Sequence, residues 1–219
     1  MTPGGTPREA LYIETGLLDI ESIANEKRLN MKARLNRDKS ELMAKILSNP
    51  QCMWEKDTNE AISNANLQKE DLNGSKAQVK NLVKRAIMNK FKEKVELDCQ
   101  NKSKMTYFLE GKMGWIPGKR AEYMNELTRK QTSLIFKART RMIKVKGNYK
   151  NGHPDLTCRM CGEREESQVH ILEECPEMHK DNAIKVPKHQ LFNENTSTLR
   201  QVANNLEIIL EKLGDEAYC

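Results

Sequence analysis

Four residues with metal-ligand chemistry, Cys158, Cys161, His170 and Cys175, stand at the spacing Cys-x2-Cys-x8-His-x4-Cys and constrain this chain more than any other feature. A Cys-x2-Cys pair can wrap two thiolates around one ion on a tight turn. A later His and Cys complete the tetrahedron of N and S donors that Zn²⁺ prefers. Gly162, directly after the second Cys, suits a sharp knuckle because glycine reaches positive φ at little cost. Ser167 is placed to cap a short helix through Val169, Ile171 and Leu172, which carries His170 inward and leaves Cys175 just past the helix end. Four protein ligands leave no open position for water, so the expected ion is structural zinc. His179, four residues after Cys175, competes for the fourth position, and Cys175 is preferred because thiolate binds Zn²⁺ well.

A disulfide scaffold is the competing explanation, since the chain has six cysteines. Cys52, Cys99 and Cys219 are scattered, however, and no apolar stretch resembling a signal peptide opens the sequence, which points to a reducing intracellular setting, cytoplasm or nucleus. With 31% charged residues, only 5% aromatics and a mean hydropathy of −0.77, the composition predicts a mainly α fold rather than a sandwich or barrel. No apolar run approaches the ~20 residues needed to span a bilayer, so no membrane role is expected.

The net charge of +6 is unevenly spread. Residues 76–150 carry 20 Lys and Arg against 6 Asp and Glu, whereas residues 1–75 and 151–219 are both net acidic. A basic block between acidic flanks points to a polyanionic partner, most simply RNA or DNA. A solvated Lys-rich helical surface would give the same count.

Periodicity divides the chain into four stretches. Residues 1–74 form a helical segment after a flexible lead-in, with Leu17, Ile20, Ile23, Ala24, Met31 and Leu35 at helical spacing and a second apolar face at Leu42, Met43, Ile46 and Leu47, ended by Asn49-Pro50. Residues 75–150 are the basic segment. Ser75-x-x-Gln78 signals a capped helix with Val79, Leu82, Val83, Ala86, Ile87, Phe91 and Val95 on one face. Trp115-Ile-Pro-Gly118 is a break, and residues 119–146 read as the longest helix. On that helix Lys130, Lys137, Arg141 and Lys144 fall in one narrow sector opposite the apolar stripe, a ridge suited to a phosphate backbone. Arg139 and Lys146 lie in the same stretch and complete the candidate nucleic-acid contacts. Residues 151–180 hold the zinc knuckle. Residues 181–219 comprise a linker and a final amphipathic helix through Leu199, Val202, Ala203, Leu206, Ile209, Leu210 and Leu213, with Thr196–Thr198 offering caps.

Three blocks together resemble a known family. They are Ile135-Phe-Lys-Ala-Arg-Thr-Arg-Met142, the run Pro154-Asp-Leu-x-Cys158-x-x-Cys161-Gly continuing to His170-Ile-Leu-Glu-Glu-Cys175-Pro176, and the upstream Ala10-Leu-Tyr-Ile-Glu-Thr-Gly-Leu-Leu-Asp-Ile20 with Lys27-Arg28-Leu29. Their order and separation are similar to the region after the polymerase palm in LINE-type (non-LTR) retrotransposon reverse transcriptases. The resemblance implies a helical thumb or linker followed by a CCHC knuckle that helps hold template RNA or target DNA. It also implies the polymerase palm of the parent protein as a docking partner.

The chemistry of the parent activity is missing. Two-metal nucleotidyl transfer needs carboxylates that hold Mg²⁺ ions a few Å apart, and no adjacent Asp-Asp pair occurs in the chain. Pro154-Asp155 is the only Pro-Asp, and no Asp/Glu-x-Lys follows it to make a nuclease centre. The expectation is therefore a non-catalytic fragment or co-opted copy. Because three thiolates outweigh the Zn²⁺ charge, the knuckle is expected to clamp the basic helix rather than to bind phosphate itself. The alternative is a zinc-stabilised helical module that docks on a protein and has no nucleic-acid role.

Overall fold

The computed structural model describes residues 7–38, 41, 45, 53–148, 155–180 and 184–214. The apolar face at Leu42–Leu47 (apart from Lys45), the Asn49-Pro50 stop, Cys52 and Cys219 lie outside the described residues. Helices run in the order α1 (Arg8–Thr15), α2 (Ile20–Asp38), α3 (Met53–Asn64), α4 (Lys76–Gln100), α5 (Ser103–Gly111), α6 (Tyr123–Glu126), α7 (Arg129–Arg139), α8 (Lys188–Leu191) and α9 (Thr196–Leu213). A 3₁₀ turn spans Lys69–Asn73 and another Lys146–Asn148, and a single π turn spans His170–Glu174. The described residues contain no strand, only one isolated antiparallel bridge between Thr157 and Glu165. The fold is mainly α, as the composition implied.

The chain separates into two compact units, each with its own core. One comprises residues 16–98 and 116–119; the other comprises residues 1–15, 99–115 and 120–219. In the first, Leu29 and Ala33 of α2 pack with Ala61, Ile62 and Ala65, Leu67, Leu72, and Val79, Val83 and Ile87 of α4. Ion pairs Arg28–Asp57 at 3.3 Å and Lys32–Glu55 at 2.9 Å tie α2 to α3. The capping box that begins α4 is present: Ser75 N–H donates to Gln78 Oε1 at 3.1 Å, and Gln78 N–H donates to Ser75 Oγ at 3.4 Å. The face expected for α4 is the buried one, and it continues through Phe91 and Val95 to Cys99.

On α2 the outcome differs. Ile20, Ile23 and Met31, expected inside, are exposed, as is Leu17 just before the helix; the buried residues are Leu29 and Ala33. The helix is apolar on two sides, and periodicity alone does not choose between them.

In the zinc-motif unit, α9 supplies Leu199, Val202, Ala203, Leu206, Ile209 and Leu213 to the core. Its cap is Asn195, whose Oδ1 accepts from the backbone N–H of Ser197 and Thr198 at 3.0 and 3.2 Å, one residue before the threonines and serine expected to serve. The stretch read as a linker is partly core: Val186 is 1% exposed and Leu191, on α8, is fully buried.

The long helix expected over residues 119–146 does not form. Within it lie α6, then α7, which Thr128 begins with a capping box: Thr128 Oγ1 accepts from Gln131 N–H at 3.3 Å, and Gln131 Oε1 accepts from Thr128 N–H at 3.2 Å. The helix then stops at Arg139 in a Schellman motif. Met142 N–H donates to Lys137 O at 2.7 Å and Arg141 N–H to Ala138 O at 3.3 Å, the 6→1 and 5→2 bonds of that motif. Arg141 occupies the left-handed position with φ of 53°. Glycine normally marks that position, so an arginine there hides the stop. The longest helix described is α4, with 25 residues.

Candidate metal centre and basic surface

The knuckle is a tight reversal followed by a turn of helix. Cys158 N–H donates to Arg164 O at 2.7 Å and Gly162 N–H to Cys158 O at 2.8 Å. Gly162 takes φ of 70°, the conformation expected of it. Ser167 caps the following turn: its Oγ accepts from His170 N–H at 3.1 Å. That turn closes by an i→i+5 bond from Cys175 N–H to His170 O at 2.7 Å. The π geometry inserts one residue relative to an α turn, so His170 and Cys175 sit on the same side of the turn although five positions separate them.

The four donor atoms of Cys158, Cys161, His170 and Cys175 lie within 4.8 Å of one another. Cys158 Sγ is 3.9 Å from Cys175 Sγ, and Cys161 Sγ is 3.3 Å from His170 Nε2. Zn–S and Zn–N bond lengths predict tetrahedral edges of about 3.8 and 3.6 Å, and these two separations lie close to them. Three of the four residues are buried, and Cys161 is half-buried. His170 Nδ1 is buried without a hydrogen-bond partner, and Glu174 Oε2 lies 3.9 Å from it. His179 is not part of the group. Its backbone N–H donates to Cys175 O at 3.2 Å, and burial, followed by the charges of Lys185 and Lys212, holds its imidazole below the ordinary histidine value.

Without an ion the thiols differ sharply. Backbone N–H groups, first that of Glu163 and then that of Arg164, bring Cys161 down to about 6. Burial pushes Cys175 up to about 11, and the neighbouring thiols reinforce the shift. A cation that binds all four donors must displace the Cys175 proton, so metal binding and proton release are linked.

A second set of side chains, not singled out by the sequence, braces the knuckle. Glu166 is fully buried. Its carboxylate accepts from Arg159 N–H, Nε and Nη2 at 3.1, 2.9 and 2.7 Å and from Lys146 N–H at 3.0 Å. Burial would raise its pKa, but the Arg159 bonds outweigh that and hold it below the ordinary carboxylate value. Arg159 Nη1 also donates to Leu213 O at 3.3 Å, which links the knuckle to the end of α9. Gln168 Nε2 donates to Ala138 O at 2.7 Å, the carbonyl that Arg141 N–H also uses at the end of α7. Gln168 thus joins the turn after the knuckle loop to the end of α7. The signal for Glu166 was its place in an acidic run beside Arg164, which composition cannot separate from a solvated patch.

The basic residues do not form one ridge. Lys130 and Lys137 are exposed on α7, and Lys130 ion-pairs with Glu207 of α9. Arg141 and Lys144 follow the Schellman stop and leave the helix register. Lys146 Nζ donates to Thr157 O at 2.8 Å and stands 3.8 Å from Asp155. Arg139 is not at the surface at all: its side chain is 0% exposed. Its Nη1 donates to Glu14 Oε1 at 2.7 Å, its Nε to Leu191 O at 2.8 Å and its Nη2 to Asn193 O at 3.2 Å. The guanidinium also lies 4.8 Å from the Tyr123 ring centroid. Arg139 is therefore removed from the candidate contacts, because a phosphate cannot reach it.

No family model, curated protein or solved structure matches the chain.

Proposed function

We propose that this chain is a non-catalytic nucleic-acid-binding region whose knuckle is fastened by one structural Zn²⁺, of the kind that follows the palm in LINE-type reverse transcriptases. The observation that carries the zinc assignment is the donor cage: three sulfurs and one nitrogen within 4.8 Å of one another. Cys158, Cys161, Cys175 and His170 Nε2 would hold the ion, and its chemistry there is that of a fastener, because four protein donors fill its coordination shell. Around it, Glu166 and Arg159 hold the knuckle loop against α9, and Gln168 holds the turn after the loop against the end of α7. The nucleic-acid assignment is supported by the excess of 20 Lys and Arg over 6 Asp and Glu between residues 76 and 150.

Two measurements test this. Metal analysis of dialysed protein should give close to one zinc per chain, with Cys161→Ser losing most of it; zinc retained by that variant would remove the assignment. RNA and DNA oligonucleotides should bind with an affinity that falls steeply as salt rises, as phosphate neutralisation requires. Binding that salt leaves unchanged would remove the nucleic-acid reading.

A second reading, a protein-docking module, is favoured by one observation. Leu17, Ile20, Ile23 and Met31 are exposed together along the start and one side of α2, and Ile20 is 85% exposed. Apolar residues aligned in this way are unusual on a face meant for water. In the family the resemblance indicates, the palm is the surface that such a face would meet.

A further inference from the structure

Two cations from separate parts of the sequence meet on one aromatic ring in the zinc-motif unit. Tyr107 on α5 has Arg141 Cζ at 4.3 Å from its ring centroid and Lys188 Nζ also at 4.3 Å. Phe192 packs edge-on against the same ring at 5.5 Å between centroids and fixes its tilt. Lys104 stands one turn before Tyr107 on α5, and its Nζ donates to Asn148 O at 3.1 Å. Partial desolvation and then the charge of Arg141 hold Lys104 below the ordinary lysine value.

Bringing like charges together is unfavourable unless something offsets it. Among the described residues, two carboxylates meet Lys188. Glu110 bonds Lys188 Nζ at 2.8 Å, and Glu173 Oε1 accepts from Lys188 backbone N–H at 3.3 Å. Glu110 is 60% exposed in this pair, and exposed pairs are weak and readily exchanged for a stronger anion. The backbone adds a second sign. Arg141 holds a left-handed conformation that glycine would adopt more cheaply, and its guanidinium carbon stands 4.3 Å from the ring centroid.

We propose that Arg141 and Lys188, ordered on Tyr107, together with Lys104 one turn away on α5, form a phosphate-binding site for a single-stranded nucleic acid. This rests on the nucleic-acid reading given above and locates it. A guanidinium seated on an aromatic ring keeps its donors pointing outward for phosphate oxygens, and its free face can receive a base. Grooves that pair cations with aromatic and arginine surfaces suit single strands, whose bases are open to stacking.

The test uses the full zinc-loaded chain and fluorescently labelled oligouridine and oligothymidine, titrated at several salt concentrations. Lys104→Ala, Arg141→Gly and Lys188→Ala combined should lower the slope of log K against log[salt] by about two. Lys130→Ala with Lys137→Ala should lower it by less than the triple change does. Arg141→Gly alone should weaken binding several-fold yet melt at or above the wild-type temperature, whereas a merely structural arginine would lower the melting temperature. Glu110→Gln, which removes the competing carboxylate, should tighten binding. Whichever oligonucleotide binds more tightly through these residues assigns the site to RNA or DNA. A triple variant that binds like wild type overturns the site while leaving the nucleic-acid reading intact. If wild type binds neither oligonucleotide, inorganic pyrophosphate followed by NMR separates the two failures. Shifts at Tyr107 and the Arg141 Nε–H keep the anion site and remove the nucleic-acid reading, and no shifts remove both.

Discussion

Arg139→Met is the substitution with the largest expected effect outside the Cys/His cage. The side chain it replaces is fully buried, and so is its partner Glu14. Removing the guanidinium deletes the bond to Glu14 and the donors to Leu191 O and Asn193 O. Breaking one side of a buried ion pair costs about 3–5 kcal/mol, chiefly because a charge is left without its partner. Lys112 Nζ remains 3.1 Å from Glu14 Oε2 and softens that loss, so the expected cost is at the lower end, about 3 kcal/mol. Adding Glu14→Gln removes the stranded charge, and the double variant should recover at least about 1 kcal/mol of the single variant's loss. Urea unfolding of the zinc-loaded protein, followed by helical circular dichroism, reads both values. At a temperature where the variant is folded, the salt dependence of oligonucleotide binding should match wild type, because Arg139 touches no solvent. A loss under 1 kcal/mol, a double variant no better than the single, or a flattened salt slope would each refute the fastening role.

Two further predictions concern the same unit. Glu166 has a folded-state pKa below the ordinary value of 4.5, so its contribution to stability is present above that pH and is lost as pH falls through the depressed folded value. Glu166→Gln should lower stability at pH 7 and shrink the wild-type loss on acidification below about 4.5; unfolding profiles of equal steepness would contradict it. Gly111 is opposed by the Phe192 ring, which would stand 2.3 Å from an added Cβ. Gly111→Ala should cost about 1–3 kcal/mol, the usual range for overpacking, and a thermal unfolding midpoint equal to wild type would show that Phe192 moves away freely.

The Cys158–Cys161–His170–Cys175 cluster was readable because metal chelation demands residue type and spacing together, and Ser167 and Gly162 occupy the local positions that such a loop requires. Helix α4 was readable because its cap and its apolar face agree. The end of α7 was not, although half the signal was present: Thr128-x-x-Gln131 is a capping box of the same form as Ser75-x-x-Gln78. The other half was hidden, since Arg141 fills the position where a glycine would have announced the stop. Arg139 was misplaced for a different reason. In sequence it is one of several cations in a basic run, and only the fold shows that Glu14, 125 positions earlier, meets it in the core. The burial of Leu29 rather than Ile20 on α2 was likewise decided by what α3 and α4 offer to pack against, which no local pattern contains.

The Glu14–Arg139 pair also dictates an order of events when the chain is made. Helix α1 is translated before the segments that enclose it, and its buried carboxylate meets Lys112 only 98 residues later and Arg139 only 125 residues later. Contacts of such high sequence separation form late and slow the folding of the unit that contains them. During that interval Glu14 stays hydrated and α1 is too short, at eight residues, to hold its shape alone. Assembly of this unit therefore waits on its most distant segment, and α1 is set in place only as α7 and the chain around Leu191 and Asn193 arrive to enclose it.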